Sequence, residues 1–459
     1  MNKAVDSPSD VVRKLGPVET RNGLKSSIDH YKIMPEYKVQ YPEIVIRALG
    51  KIYEEYNQAF VPLIEKNREA ESDYESCLVG PDGGPVNYAV QIDMVGLPDV
   101  FLNMSENLSL DEVISVLKGR IFEIENSLAM YQLLGKMFSN GLNGESNFSL
   151  RFRDLLNEIR LRHNMKIALL AVTDDKHRGM RELEFGKRDG EMLADDEVVA
   201  LSGFDKLMGP SEFLEHLEAN NGVSDYLLYV RSSEPIAKLR NPKIEVANPL
   251  LAIDKIRRAI KAKALTFNVD APGMDFDRKI NDTKAYLSVM GMGYDIGTEL
   301  DLYSTGFSGH IKRERAYADY EKGARLSDTF VGFLEGREVC PLKVETGETQ
   351  LRAKPMKASY GCYGHVRGAL NDSKMRSALR KGISTRGAYV IQPEFEIPTV
   401  IDESSGTTYA YVDRNFMGMA NGKPTFIAGF RSLMPTSSEE FKAGRNHGNG
   451  DTVHAEISD

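Results

Sequence analysis

Residues 351–368 read LRAKPMKASYGCYGHVRG. The stretch opens as a strand ending in Lys354-Pro355 and passes into a turn, Ser359-Tyr360-Gly361-Cys362-Tyr363-Gly364, whose glycines let backbone amides approach a ligand closely. A loop of this kind can form an anion nest. A nearby ammonium then neutralises phosphate oxygens, while small or aromatic side chains close over the site against water. The same letters also fit a hairpin turn with lysines beside it. Upstream, Asn281-Asp282-Thr283-Lys284 opens a predicted helix. Downstream, a helical stretch near Lys374 to Lys381 precedes a predicted strand, residues 388–395, AYVIQPEF. There Glu394 can bind a ribose hydroxyl, and the strand's own N–H and C=O groups can pair with a base edge.

Working outward, residues 164–272 alternate short apolar runs (KIALLAV, EVVAL, DYLLYV, ALTFNV) with helical stretches such as Ser211 to Asn220. That alternation predicts βαβ units on a mostly parallel sheet with both faces covered. Nearer the start, apolar residues at helical spacing predict a helix from Ile44 to Asn67, and GPDGGP at 80–85 a loop. VNYAVQIDMVGL reads as a strand. A long helix is expected after Ser109, where Asp111 and Glu112 place acids in the first turn, and another over residues 149–161. The first 28 or so residues read as a mobile arm. Toward the end, QLRAKPM, AYVIQPEF, TTYAYVDRNFM and PTFIAGFRSL predict an α+β region with antiparallel sheet.

The chain has 459 residues, and at about 150 per domain this suggests roughly three domains. With 41% apolar and 27% charged residues, collagen, coiled coil and wholesale disorder are excluded. No apolar run approaches the roughly 20 residues that cross a bilayer. The start, MNKAVDSPSDVVRKLG, lacks the apolar core of a signal peptide, so the expected location is the cytosol. Three cysteines without a CxxC pair supply neither a disulfide framework nor a zinc site. A net charge of -9 gives no general attraction to nucleic acid or to an anionic membrane, and neither is expected as a partner.

The succession of NDxK helix, KP strand, Ser/Gly loop, helix, strand ending in QPE and Arg-bearing antiparallel sheet resembles the nucleotide site of the ATP-grasp superfamily. The similarity covers about residues 164–459. It implies a Rossmann-like preceding domain (164–275), a lid lobe with its leading helix (276–395) and a core lobe (396–459), the last two forming the ATP-grasp-like unit with antiparallel sheets; with the flexible arm (1–29) and mostly helical mixed domain (30–163) read from the residues, the expected fold class is α/β and α+β multidomain. By the same resemblance Lys354 contacts the α/β-phosphates, and the loop with Ser359, Gly361 and Gly364 folds over them. Gln392 and Glu394 line the adenosine, and Lys284 matches the family's helix lysine. Arg431 and the segment carrying Arg445 and His447 resemble the tail of circularly permuted members, where an Arg and a Gly-rich loop face the transferred phosphate. An arginine suits that place because its planar fork of donors stabilises charge on a phosphoryl group in transit.

The implied Mg2+ needs carboxylates. The chain ends His454-Ala455-Glu456-Ile457-Ser458-Asp459, with Ser where the family has Asn. Either Asp413 or Asp451 joins Glu456, or the order is permuted and an N-terminal strand supplies Asp93; the expectation adopted is Asp413 with Glu456. Arg231 and Ser232 could touch substrate at a strand end or simply cap a helix, and the charges around His177 fit a solvated loop. No Ser-His-Asp or Cys-His arrangement stands out, and Cys362 reads as a small lid residue. The expected function is an ATP-dependent carboxylate–amine ligase working through an acyl-phosphate on small-molecule substrates, an amino acid or small peptide among them, with a homo-oligomer compatible. A nucleotide-binding sensor or assembly protein that has lost catalysis, and a phosphotransferase acting on a hydroxyl, are the alternatives.

Overall fold

The computed structural model describes residues 11–22, 30–70, 89–125, 147–170, 203–208, 210–221, 225–230, 350–355, 366–369, 372–373, 389–393, 396–442 and 452–459. They form a mixed α/β structure with three sheets. Both ends of the sequence build the largest, a mixed sheet of nine strands. Its N-terminal members are β1 (Val11–Arg13), β2 (Glu19–Asn22), β3 (His30–Gln40), β4 (Ala89–Val95) and β5 (Ile121–Glu125). Four more come from the C-terminal end: β12 (Thr399–Asp402), β13 (Thr408–Ala420), β14 (Lys423–Pro435) and β15 (Val453–Ser458). The order is β1-β12-β13-β14-β15-β3-β2, with β4 beside β13 and β5 beside β4.

Two expectations change here. Residues 11–22 are not part of a free arm: they add strands to the sheet, and Leu15 between them has no exposed surface. The division between 30–163 and 396–459 also runs through one sheet, since β4 lies antiparallel along β13, with Asp93 opposite Arg414. Alternation alone identifies β4 and β13 as strands but does not say which strand each will meet.

β1 and β2 stand at opposite ends of the path, yet only residues 14–18 join them. Six strand spacings of about 4.8 Å would separate them by roughly 29 Å on a flat sheet, whereas six residue steps reach about 21 Å at most. The sheet is therefore strongly curled. Leu15 lies in the same apolar cluster as Tyr409, Tyr411, Leu433 and Val453, so the link crosses the concave, inner face.

Helix α1 (Glu43–Ala70) packs on that inner face, burying Leu49, Ile52, Tyr53 and Tyr56, whose spacing predicts it, together with Val45 in place of the partly buried Ile44 and Ile46. α2 (Asp99–Ser105) follows β4, and α3 (Leu110–Lys118) begins at a complete capping box, Ser109 with Glu112. α3 is shorter than expected: after nine residues Gly119 and Arg120 turn the chain into β5. α4 (Asn147–His163) packs against β13 and β14 from the other side and buries Phe152, Leu155, Leu156 and Ile159. Arg151 and Glu158 fix it there: Arg151 Nη1 donates to the Phe426 carbonyl at 2.9 Å, and Glu158 accepts from the backbone N–H of Asn421. Asn421-Gly422 is the two-residue turn of the β13–β14 hairpin, with φ of 50° and 66°, as the Asn-Gly pair favours.

The second sheet is parallel, order β7-β6-β8, made of β6 (Lys166–Leu170), β7 (Lys206–Met208) and β8 (Tyr226–Val230). α5 (Pro210–Ala219) connects β7 to β8, matching the helix predicted at 211–220. The third sheet is antiparallel, order β10-β9-β11, with β9 (Gln350–Pro355), β10 (Val366–Ala369) and β11 (Tyr389–Pro393). EVVAL and ALTFNV lie outside the described residues. No helix among the described residues is long and apolar enough to cross a membrane.

Candidate functional site

In β13 Asp413 points to the inner face of the curled sheet and Arg414 to the outer, because successive strand residues alternate. Opposed residues share a face, so the register sorts the candidates. Asp413, Arg431, Ala455 and Met94 are inner; Arg414, Asp93, Phe430 and Glu456 are outer.

The inner face holds a closed network. Arg431 Nε donates to Asp413 Oδ1 at 2.7 Å and Nη2 to Oδ2 at 2.8 Å, a bidentate pair with 1% and 0% side-chain exposure. Nη2 also donates to the Leu97 carbonyl and Nη1 to the Tyr37 hydroxyl, and the guanidinium lies 4.2 Å from the centre of the Tyr411 ring. Asp413 Oδ2 additionally accepts from the Tyr41 hydroxyl and the Leu97 N–H, each at 2.8 Å. Burial, then the Asp413 charge, push the Tyr41 hydroxyl well above its ordinary pKa. Tyr37 reaches Arg431 because β3 bulges. Ile33 pairs with His454 and Lys38 with Glu456, which leaves residues 34–37 looped out around Pro35, a residue with no N–H for a ladder.

This arrangement corrects two expectations. Arg431 is engaged on every side in the core and does not face a phosphate. Asp413 and Glu456 lie on opposite faces of the sheet and share no metal ion; Glu456 instead stands 3.7 Å from Lys38.

On the outer face the row is Glu123, Asp93, Arg414, Phe430, Glu456 across β5, β4, β13, β14 and β15. Asp93 Oδ2 lies 3.8 Å from Arg414 Nη1, both side chains 4% exposed. The Gln91 amide, fully buried, donates Nε2 to Asp93 Oδ1 at 2.7 Å, and its Oε1 has no partner. An unpaired buried acceptor costs about 1–3 kcal/mol. Across from Gln91 stands Glu125 in the β4–β5 register. One row away, Ser432 Oγ and His454 Nδ1 are 3.2 Å apart, and burial, then the Arg414 charge, push His454 down to about 3. The imidazole is therefore neutral at ordinary pH.

Among the described residues no three of His, Cys, Asp and Glu stand together as a metal site. Two carboxylates opposed in register, Asp93 and Glu123, with the Gln91 amide oxygen are nonetheless hard oxygen donors of the kind Mg2+ takes. Sequence reasoning weighed Asp93 and missed Glu123, although IFEIE at 121–125 alternates apolar and acidic residues as a strand with one acidic face does.

The β9–β11 sheet brings together other candidates. Lys354 pairs with Val390, and Gln392 pairs with Arg352, so Lys354 and Gln392 are diagonal positions on one face. Arg367 pairs with Arg352 from the opposite edge and joins that face. The alternate face carries Leu351, Ala353, Ile391 and Gly368. Lys284, Ser359, Gly361, Gly364, Glu394, Arg445, His447 and Asp451 lie outside the described residues, as do His177, Arg231, Ser232 and Cys362.

No protein-family model matches the chain, and none of the curated proteins matches it significantly.

Proposed function

We propose that the chain is an ATP-dependent ligase of ATP-grasp type that joins a carboxylate to an amine, with the nucleotide on the β9–β11 face and phosphoryl transfer at the outer face of the nine-stranded sheet. The observation that carries this reading is the Asp93 cluster: the opposed acids Glu123 and Asp93 and the Arg414 cation on one row of strands, with the unpartnered Gln91 amide oxygen two residues along β4 on the same face. Asp93 and Glu123 replace Asp413 and Glu456 as the residues that would hold Mg2+, which would neutralise phosphate charge. This reading takes the permuted order, in which N-terminal strands would complete a C-terminal lobe.

In this mechanism a substrate carboxylate oxygen attacks the γ-phosphorus, ADP leaves, and the amine then attacks the acyl carbon and expels inorganic phosphate. Such chemistry rests on in-line positioning and charge neutralisation. Arg414 supplies a fixed cation. Lys354 and Gln392 bind and orient the nucleotide.

The test is ADP release from ATP and Mg2+ in the presence of pooled amino acids. Asp93→Asn should abolish release while nucleotide titration still shows binding, and Lys354→Ala should weaken ATP binding severely with an unchanged circular dichroism spectrum. Full turnover in Asp93→Asn would remove the site. ATP binding without ADP release under any acceptor pool would instead favour the sensor.

A further inference from the structure

We propose that α4 is a rigid splint: it makes the parallel sheet and the β13–β14 hairpin open and move as one body, where a hinge between them would let each open alone. The inference goes beyond the ligase reading and does not depend on it.

Four side chains of α4 carry the argument. Arg151 and Glu158 stand two helical turns apart, and so do Arg153 and Arg160. At about 100° per residue, Arg151 and Arg153 are separated by roughly 200° around the axis, so the two pairs lie on opposite sides of the helix. One side is fastened to the nine-stranded sheet. Arg151 donates to the Phe426 carbonyl and, through Nη2, to Asp459 Oδ1 at 2.7 Å, while the two Glu158 carboxylate oxygens accept from the N–H groups of Asn421 and Gly422. The other side is fastened to the parallel sheet. Arg160 Nε donates to Asp205 Oδ2 at 2.8 Å, and Nη2 donates to the Gly203 carbonyl. The same Asp205 oxygen accepts the Ile167 N–H at 2.8 Å, and the Asp205 N–H donates to the Ile167 carbonyl at 2.9 Å, which ties the ion pair to the central strand β6. Arg153 lies over Gly203, where a Cβ would come within 3.0 Å of Arg153 Cγ.

Between these two sides runs the buried apolar stripe of Phe152, Leu155, Leu156 and Ile159, and Phe152 meets Phe204 edge to face with ring centres 6.2 Å apart. Asp154, Asn157 and Leu161 form the exposed back of the helix. Its C-terminal end has no slack. Asn164, at φ 50°, stops the helix, the Met165 N–H returns to the Arg160 carbonyl, and β6 begins at Lys166. A hinge needs a few residues free to change their dihedrals, and these two are held. α4 lies on the outer face of the nine-stranded sheet, the face that bears Asp93 and Arg414, so a displacement of the parallel sheet is delivered to that face.

The test is native-state hydrogen exchange of the full chain, read by mass spectrometry. Amides of β6 and amides of β13 and β14 should open with matching free energies. Arg160→Gln, on the parallel-sheet side, should speed exchange in the β13–β14 hairpin as well as in β6, by roughly tenfold or more in both. Glu158→Ala, on the hairpin side, should speed exchange in β6 by the same factor as in the hairpin. Its partners are two N–H groups of an exposed turn, so it keeps the test usable should Arg160→Gln fail to fold. Acceleration confined in each variant to the segment it touches would overturn the splint, as would different opening free energies for the two sheets in the unaltered protein.

Discussion

Asp413 and Arg431 meet fork to fork across β13 and β14, at 2.7 and 2.8 Å, and together hold both the N–H and the C=O of Leu97. One buried ion pair thereby fixes the exit of β4 against the two longest strands. The next residue, Arg414, faces Asp93 on the other side of the same sheet. The network that locks the register is thus separate from the row proposed for chemistry.

Arg431→Met should destabilise the fold by about 3–5 kcal/mol, because Asp413 is left charged and buried without its partner. Urea denaturation measures this. Arg431→Met combined with Asp413→Leu should recover part of the loss, and a double variant no better than the single one would show that the pair is not the source.

Gly96 allows β4 to leave β13: a Cβ there would come within 2.1 Å of Tyr411 Cδ2 and 3.1 Å of the Tyr411 carbonyl oxygen. Gly96→Ala should lower stability by about 1–3 kcal/mol through overpacking. Thermal unfolding would read the loss, and an unchanged midpoint would mean that the Tyr411 ring moves aside freely.

Asp402 anchors the crossing segment by accepting from the Leu15 N–H at 3.2 Å. Burial would raise its pKa, but the Ser405 and Ser404 hydroxyls and the N–H groups of Leu15 and Ser404 outweigh it and hold the carboxyl at about 2. A depressed folded-state pKa stabilises above the unfolded value near 3.8, and the benefit fades as pH falls toward 2. Asp402→Asn should therefore be less stable than the natural protein by about 2 kcal/mol at neutral pH. Denaturation between pH 6 and 3 should show that gap shrinking only at the acid end.

His454 also costs stability on acidification, but through its neutral rather than its charged form. Its folded-state pKa near 3 lies below the ordinary 6.5, so only the unfolded chain takes up a proton between those values. Stability should fall by about 1.4 kcal/mol for each pH unit below 6.5 from this residue. His454→Gln should flatten that slope between pH 6.5 and 5. An unaltered slope would show that the imidazole is protonated in the fold.

Local structure was largely legible in the sequence. The spacing of Leu49, Ile52, Tyr53 and Tyr56 predicts α1, Ser109 with acids after it predicts the start of α3, and the strand-like runs TTYAYVDRNFM and PTFIAGFRSL predict β13 and β14. The site was legible only in pieces: Lys354 and Gln392 share a face as a consequence of strand register, Glu123 shows only in the alternation of IFEIE, and nothing local distinguishes Arg352 and Arg367 from ordinary surface charges.

What the sequence determined by itself is where strands and helices form, since hydrophobic period, caps and Asn-Gly turns act over a few residues. Tertiary structure alone decided which strands pair. Val11–Arg13 could be placed beside Thr399–Asp402 only once the sheet curled, and Asp93 met Arg414 across more than 300 residues of chain. Backbone hydrogen bonds are the same for every strand, so partner choice depends on the burial of whole faces. That same alternation sent Asp413 into the core and left Arg414 on the opposite face.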